Sequence, residues 1–231
     1  MQNRMQKRIR PFELDHVFIL VSEGAPEADL LIEFGLLEGS SNVHPGQGTA
    51  NRRFFFHNMM LELAWVNHPD EAKSALTRPT GLWDHWKYRN QTASPFGIIL
   101  RPATAHNHEK YPFKGWRYKP QYLPEHLSFW VGDNSDKLEE PLLFYFTFGG
   151  RPDVRKPAQP LHHLTGFREL TSLNIQMPGL TQASATLQSL MKMKGITFTA
   201  GNQHVMEIGF DGEKSGKSKD FQPHLPLVFR W

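Results

Sequence analysis

Two apolar, β-branched runs in this chain each carry one group that an apolar run does not need. Residues 14–21 (Leu-Asp-His-Val-Phe-Ile-Leu-Val) hold an imidazole, His16, and residues 59–66 (Met-Met-Leu-Glu-Leu-Ala-Trp-Val) hold a carboxylate, Glu62. Both runs have the length and composition of strands. An ionised carboxylate inside a strand is costly to bury unless it is paired or coordinates a metal, so Glu62 needs a partner. His16 is the obvious one. Side chains alternate along a strand, which puts His16 on one face with Phe18, and Glu62 on one face with Met60 and Ala64. Two adjacent strands presenting this pair into an apolar hollow would form a small-molecule site. The bland alternative is a buried pair that satisfies only itself.

The chain has no cysteine, which excludes disulfides, thiolate nucleophiles and thiolate metal sites. Any metal must then be held by His, Asp, Glu or water. The 39% hydrophobic and 21% charged content is that of a soluble globular protein. A net charge of +3 spread over 231 residues is too diffuse to argue for nucleic acid. The basic segment 1–11 is not followed by the apolar stretch of a signal peptide, and the run at 17–21 is far too short to span a bilayer. We read residues 1–11 as a solvated basic extension and expect a cytoplasmic protein with no membrane partner. Nucleotide-binding loops, the nucleophile elbow and the metalloprotease helix motif are missing from the sequence.

One pattern recurs along the rest of the chain. After the strand at 14–21, Pro26, Asp29 and Gly35 frame a helix over 26–34 with an apolar stripe of Leu30, Leu31 and Phe34. Strands at 53–56 and 59–66 follow, joined through His57 and Asn58. The C-terminal part shows a strand at 170–177 and a helix over 181–194 capped by Thr181. Strands at 196–199, 204–210 and 225–231 complete it. The middle offers strands at 96–101, 116–118, 127–131 and 142–148 with no amphipathic helix between residues 102 and 115. Residues 67–94 look like an excursion anchored by Trp83, His85 and Trp86, and 151–160 like a proline-rich connector. The expected fold is α+β: repeated βαβββ units in a half-open antiparallel barrel. The units span 14–66, a degenerate 95–149, and 168–231.

Strand–helix–three strands, with His on a first strand and Glu on a fourth, resembles the vicinal oxygen chelate superfamily, closest to its glyoxalase-like branch. The resemblance is carried by Leu14-Asp15-His16-Val17, residues 44–51 (His-Pro-Gly-Gln-Gly-Thr-Ala-Asn) and Leu61-Glu62-Leu63. Similar phrases recur at 97–101, 163–170 and 225–231. It implies that two units form a cup around a divalent ion, such as Zn, Fe, Mn or Ni, with substrate oxygens completing its shell. His16 and Glu62 match the ligand positions of the first unit. The position matching His16 falls near Gly97 in the middle unit and Ser172 in the last. Those matching Glu62 fall around 144–146 and 225–228, where no acid stands.

Other candidates come from the residues themselves. His44 offers a third ligand or a general base, and Asn51 a hydrogen bond to a substrate oxygen. Either is equally an ordinary member of a Gly-rich connection. Arg101, at a strand end, suits a substrate carboxylate or a surface position. Phe55, Trp65, Trp83 and Phe144 are aromatic candidates for the cup or its rim. His106 and His108 read as a solvated loop, and His162 and His163 as exposed. Two functions follow. The first is a divalent-metal-dependent lyase, isomerase or dioxygenase acting on a small oxygenated substrate, with His16, Glu62 and His44 as ligands and Glu62 or His44 as base. The second is a metal-free small-molecule binding protein of the same fold. A homodimer is left open.

Overall fold

The computed structural model of the protein describes residues 11–104 and 110–231. The first strand, β1 (Phe12–Leu20), sits at the centre of an eight-stranded sheet. It is followed by helix α1 (Ala28–Glu33), β2 (Asn42–His44), β3 (Thr49–Phe55) and β4 (Met60–Val66). An excursion with α2 (Pro69–Ala72) and α3 (Leu82–Tyr88) leads to β5 (Phe96–Pro102), β6 (Gly115–Tyr118), β7 (Phe129–Gly132) and β8 (Leu142–Phe146). The sheet order is β2-β3-β4-β1-β5-β8-β7-β6, curled into a half-barrel. The middle segment thus repeats the first in mirror order: β1 runs parallel to β4 as β5 runs parallel to β8, and β1 and β5 meet antiparallel. This is a glyoxalase-like, vicinal-oxygen-chelate-like α+β fold.

The last segment builds its own sheet from β9 (Leu170–Met177), α4 (Ala185–Leu190), β10 (Ile196–Ala200), β11 (Val205–Phe210), β12 (Ser218–Asp220) and β13 (Leu227–Arg230). Its order is β10-β9-β11-β13-β12. The element order resembles that of the first unit but the pairing does not. The short link after α4 returns the chain directly beside β9, and β10 pairs with it in parallel. In the first unit the chain after α1 travels to the far edge of the sheet before returning to β1.

Strand parity divides the eight-stranded sheet into two faces. Val17 and Ile19 of β1, Leu61 and Leu63 of β4, and Ile98 and Leu100 of β5 join Leu173, Ile175, Met206, Ile208 and Phe229 of the second sheet in one core. The opposite face carries Phe18, Leu20, Ala64, Ile99, Phe129 and Phe144. The last segment therefore covers the back of the sheet and leaves the front free to form a cavity.

Both helices are shorter than the sequence reading at each end, α1 stopping at Glu33 and α4 at Leu190. α1 starts at Ala28, because residues 22–28 first make two successive turns. α4 starts at Ala185, not Thr181, since residues 180–182 form a separate 3₁₀ turn. The cap is Ser184, whose Oγ accepts from Leu187 N at 3.1 Å. Glu140, buried on the loop before β8, fixes that start by accepting from Ser184 N (2.6 Å) and Oγ (2.7 Å). No local signal announces a cap held from 44 residues away. The 44–51 loop is a hairpin, with β3 beginning at Thr49. Gly46 and Gly48 turn it with positive φ, and a Cβ on Gly48 would overlap the His68 carbonyl.

Residues 1–10 of the basic extension, and His106 and His108, lie outside the described residues. His163 is buried, not exposed: its Nδ1 accepts from Leu37 N (3.0 Å) and its Nε2 donates to Phe55 O (2.9 Å). Among the described residues no helix is long and apolar enough to cross a membrane.

Candidate functional site

β1 and β4 lie side by side, with Phe18 paired to Glu62 and His16 to Met60. His16, Phe18 and Leu20 therefore share one face with Met60, Glu62 and Ala64, and all six line a cavity of about 280 Å³. β3 adds Thr49, Asn51 and Arg53 by the same alternation, Arg53 standing opposite Glu62. From the other half of the barrel come Ile99, Phe129, Phe144 and Phe146, with Tyr122, Phe148 and Arg155 at the rim. One wall is polar and the other aromatic.

The polar wall is a connected network. His16 Nδ1 is 2.7 Å from Asp15 Oδ1, and His16 Nε2 is 3.4 Å from Glu62 Oε2. Glu62 Oε1 accepts from Asn51 Nδ2 at 2.5 Å, and Asn51 Oδ1 accepts from Asn42 N at 2.8 Å. Asp15 reaches the same cavity as its neighbour His16, which strict alternation forbids. A β-bulge between Leu14 and His16 makes this possible: Leu14 pairs with Leu100 and His16 with Ile99, leaving Asp15 unpaired. Asp15 is 1% exposed and also faces Arg155 Nη2 at 3.1 Å and Arg101 Nη1 at 3.5 Å. Burial alone would raise its pKa. The His16 hydrogen bond and the charges of His16, Arg155 and Arg101 outweigh that and hold the carboxyl below its usual range.

The remaining candidates fall into three groups. His44 lines the cavity, with Nδ1 2.9 Å from Thr49 Oγ1 and its ring against Tyr122 at 4.8 Å. Burial lowers its pKa against the opposing pull of Glu62, so it is neutral at pH 7. Asn51 is in the cavity, but its oxygen and one N–H are spent on Asn42 and Glu62. It positions Glu62 before it meets any ligand. Arg101 and Trp65 do not line the cavity. Arg101 is buried behind Asp15, donating to Glu13 Oε2 and Asn58 O at 3.1 Å each. Trp65 is on the odd-numbered face of β4 and packs against the back core. Nor do Phe55 and Trp83 line it, whereas Phe144 does. His85 is buried on α3 with Nδ1 2.9 Å from Ser94 O, away from the cavity.

The second half-site can be located by symmetry. Val17 pairs with Ile98, and a local two-fold through that pair relates His16 to Gly97 and Phe18 to Ile99. Glu62 faces Phe18 and Phe144 faces Ile99, so Glu62 corresponds to Phe144. A Cβ on Gly97 would overlap the Phe18 ring. Phe18 thus occupies the space above Gly97, with Phe144 6.2 Å from it. Aromatic rings have replaced the polar pair. Beside them Phe129, Phe146 and Phe148 stack nearly parallel, at 4.1 Å and 5.4 Å between centroids.

These donors fit a divalent ion only in part. His16 Nε2 and Glu62 Oε2 point at a common space, and Asp15 orients the imidazole as carboxylates orient ligating histidines. Among the described residues, however, no group of three His, Asp or Glu side chains comes within reach of one ion. A catalytic site of this kind usually has three protein ligands. His44 does not join the other two. Without an ion, the wall offers a carboxylate acceptor beside an imidazole held by a second carboxylate, a pair able to accept a hydrogen bond or a proton from a ligand O–H.

No protein-family model matches this chain. No curated protein matches it either. Solved structures do. A hypothetical protein from Staphylococcus aureus is 10% identical, with 95% of this chain and 98% of that one covered and a TM-score of 0.56. A xylose isomerase-like TIM barrel/4-hydroxyphenylpyruvate dioxygenase fusion protein is 12% identical, with a TM-score of 0.50. There the match covers 87% of this chain and 37% of the fusion protein. Likeness at these identities establishes the fold.

Of the cavity residues, Asp15, Arg53, Arg155, Tyr122, Phe129, Phe146 and Phe148 escaped the sequence reading. Arg53 was findable, two residues from Asn51 on the same strand. Phe146 was findable from Phe144 in the same way. Asp15 depends on the bulge and Arg155 on a connector fold, and neither leaves a local signal.

Proposed function

We propose that the protein binds a small oxygenated organic molecule in the half-barrel cavity. The ligand's hydroxyl or carbonyl group meets Glu62 and His16, and its apolar, planar body lies against Phe129, Phe144 and Phe146. The observation that carries this is the pairing of one polar wall with one aromatic wall across about 280 Å³. A cavity of roughly half that size already holds a single aromatic ring. Asn51 and Asp15 fix the two polar side chains, so little ordering remains to be done on binding.

2-Naphthol is a suitable probe, and calorimetric titration is expected to give saturable one-to-one binding. Glu62→Gln should weaken it by about tenfold or more, the usual effect of losing a hydrogen bond to a charged group. Absence of binding, or a Glu62→Gln variant indistinguishable from wild type, would count against the reading.

A second reading is favoured by the Asp15–His16 hydrogen bond: a divalent-metal-dependent lyase, isomerase or dioxygenase in which His16 and Glu62 supply two ligands. With His44 not within reach of the pair, it requires substrate oxygens or water to supply the rest. Elemental analysis of protein purified without chelator or nickel affinity separates the two. Near-stoichiometric divalent metal that is lost on His16→Ala selects the second.

A further inference from the structure

The polar rim of the cavity holds two arginines. Arg53 projects from the cavity face of β3. Its Nε donates to Ser40 O (2.6 Å) and its Nη2 to both Ser40 Oγ (2.8 Å) and Asn42 Oδ1 (3.3 Å). Arg155 arrives from the connector after β8, where Nε donates to Gly150 O (2.8 Å) and Nη2 to both carboxylate oxygens of Asp15 (3.2 and 3.1 Å). Each guanidinium is thus held by the protein through Nε and Nη2. The Nη1 group of each makes no hydrogen bond among the described residues. Both line the same cavity, where Arg53 stands opposite Glu62 and feels its attraction more than the repulsion of Arg155.

Two like charges held at one mouth repel each other, and the carboxylates nearby are already engaged. Asp15 is divided among His16, Arg101 and Arg155, and Glu62 is held by Asn51. The two spare donors remain for something that the protein does not itself provide. Two guanidinium groups held in place, each with its Nη1 donors open, suit a carboxylate that takes one donor from each.

We infer that Arg53 and Arg155 form an anion clamp, and that the ligand of the cavity is an aromatic carboxylic acid. Its ring lies against the phenylalanine wall and its carboxylate sits between the two guanidiniums. The inference rests on the ligand-binding reading of the cavity and adds the charge and class of the ligand to it. It also gives Arg155 a double role. By pairing with Asp15 it supports the imidazole of His16, so clamp and polar wall form one continuous network.

The test compares two probes of nearly equal shape, 2-naphthoate and the uncharged 2-naphthamide. Both are titrated calorimetrically into wild type, Arg53→Gln, Arg155→Gln and Arg155→Lys. The clamp predicts that wild type prefers the acid by about tenfold or more, as expected of charge-assisted hydrogen bonds. Arg53→Gln should remove most of that preference while changing amide affinity less than about threefold; Arg155→Gln should remove it as well, and Arg155→Lys should retain part of it. Arg155→Gln also unbalances Asp15; should it fail to fold, Arg53→Gln, which breaks no ion pair, carries the test. Equal wild-type affinity for acid and amide, or an Arg53→Gln variant that weakens both probes alike, overturns the clamp. Binding of the amide alone overturns the clamp and leaves the cavity reading standing. Binding of neither probe overturns both.

Discussion

Asp15→Ala is expected to lower the unfolding free energy by about 3 kcal/mol or more, the usual cost of removing one partner from a buried ion pair. Asp15 is 1% exposed and faces three cationic or potentially cationic groups, of which Arg101 is itself buried at 2%. Removing the carboxylate leaves Arg101 Nη1 with no acidic neighbour and frees the His16 ring to rotate. Asp15→Asn should cost less, because its amide oxygen can still accept from His16 Nδ1. The folded-state pKa of Asp15 is depressed, so its contribution is present above its unfolded value of about 3.8 and fades as pH falls through the folded one. Denaturant unfolding of the two variants at pH 7 measures the difference. A loss below about 1 kcal/mol for Asp15→Ala would place the residue among exposed, weakly coupled ion pairs.

The second large effect is a loss of stability in mild acid. His85 is fully buried on α3, where Nδ1 donates to Ser94 O and Nε2 has no partner among the described residues. Desolvation lowers its pKa from 6.5 to about 4 despite the opposing hydrogen bond to Ser94. The unfolded chain therefore takes up a proton near pH 6.5 that the folded protein refuses until about pH 4. Stability falls as pH is lowered across that window, by up to about 3 kcal/mol from this group. Buried His163 and half-buried His44 and His204 have pKa values lowered in the same direction and add to the slope. The useful observable is thus the difference between wild type and His85→Asn, which keeps an N–H for Ser94 O but does not titrate. The variant should show a shallower decline of unfolding free energy between pH 7 and 4. Parallel curves would mean that His85 is accessible to protons in the folded state.

Much of this architecture could be read from residue patterning. Alternation alone placed His16 with Phe18, and Glu62 with Met60 and Ala64, on the faces that line the cavity. The strands at 14–21, 59–66, 96–101 and 170–177 stand within a residue or two of their observed limits because each is a long apolar run bounded by turn residues. What failed to show were features set by distant parts of the chain. The start of α4 follows from Glu140, and the strand order of the last segment from a short return link. The cavity lining shows the same division. Trp65, a large aromatic three residues beyond Glu62 on β4, looked like a pocket residue, but parity sends it to the back core. Arg101 looked like a carboxylate binder, yet it is buried behind the bulge and supports Asp15 instead. The first misassignment is a matter of parity on β4, whereas the second traces to Asp15. A single unpaired residue in β1 changes which side chains meet the cavity, and no local sequence signal marks a bulge.

On our proposal the front of the eight-stranded sheet, between the His16–Glu62 wall and the phenylalanine wall, receives a small molecule. Methionine-methyl NMR tests it without altering the protein. Met60 lines the cavity, whereas Met177 and Met206 are buried in the core on the other side of the sheet. Titration of 2-naphthol into protein labelled at its methionine methyl groups should shift the Met60 resonance saturably. Cross-relaxation should then appear between that methyl and the naphthol ring protons, while Met177 and Met206 stay unmoved. Naphthol contacts to Met177 or Met206 with Met60 unaffected, or no shift in any methionine at millimolar probe, would contradict the account.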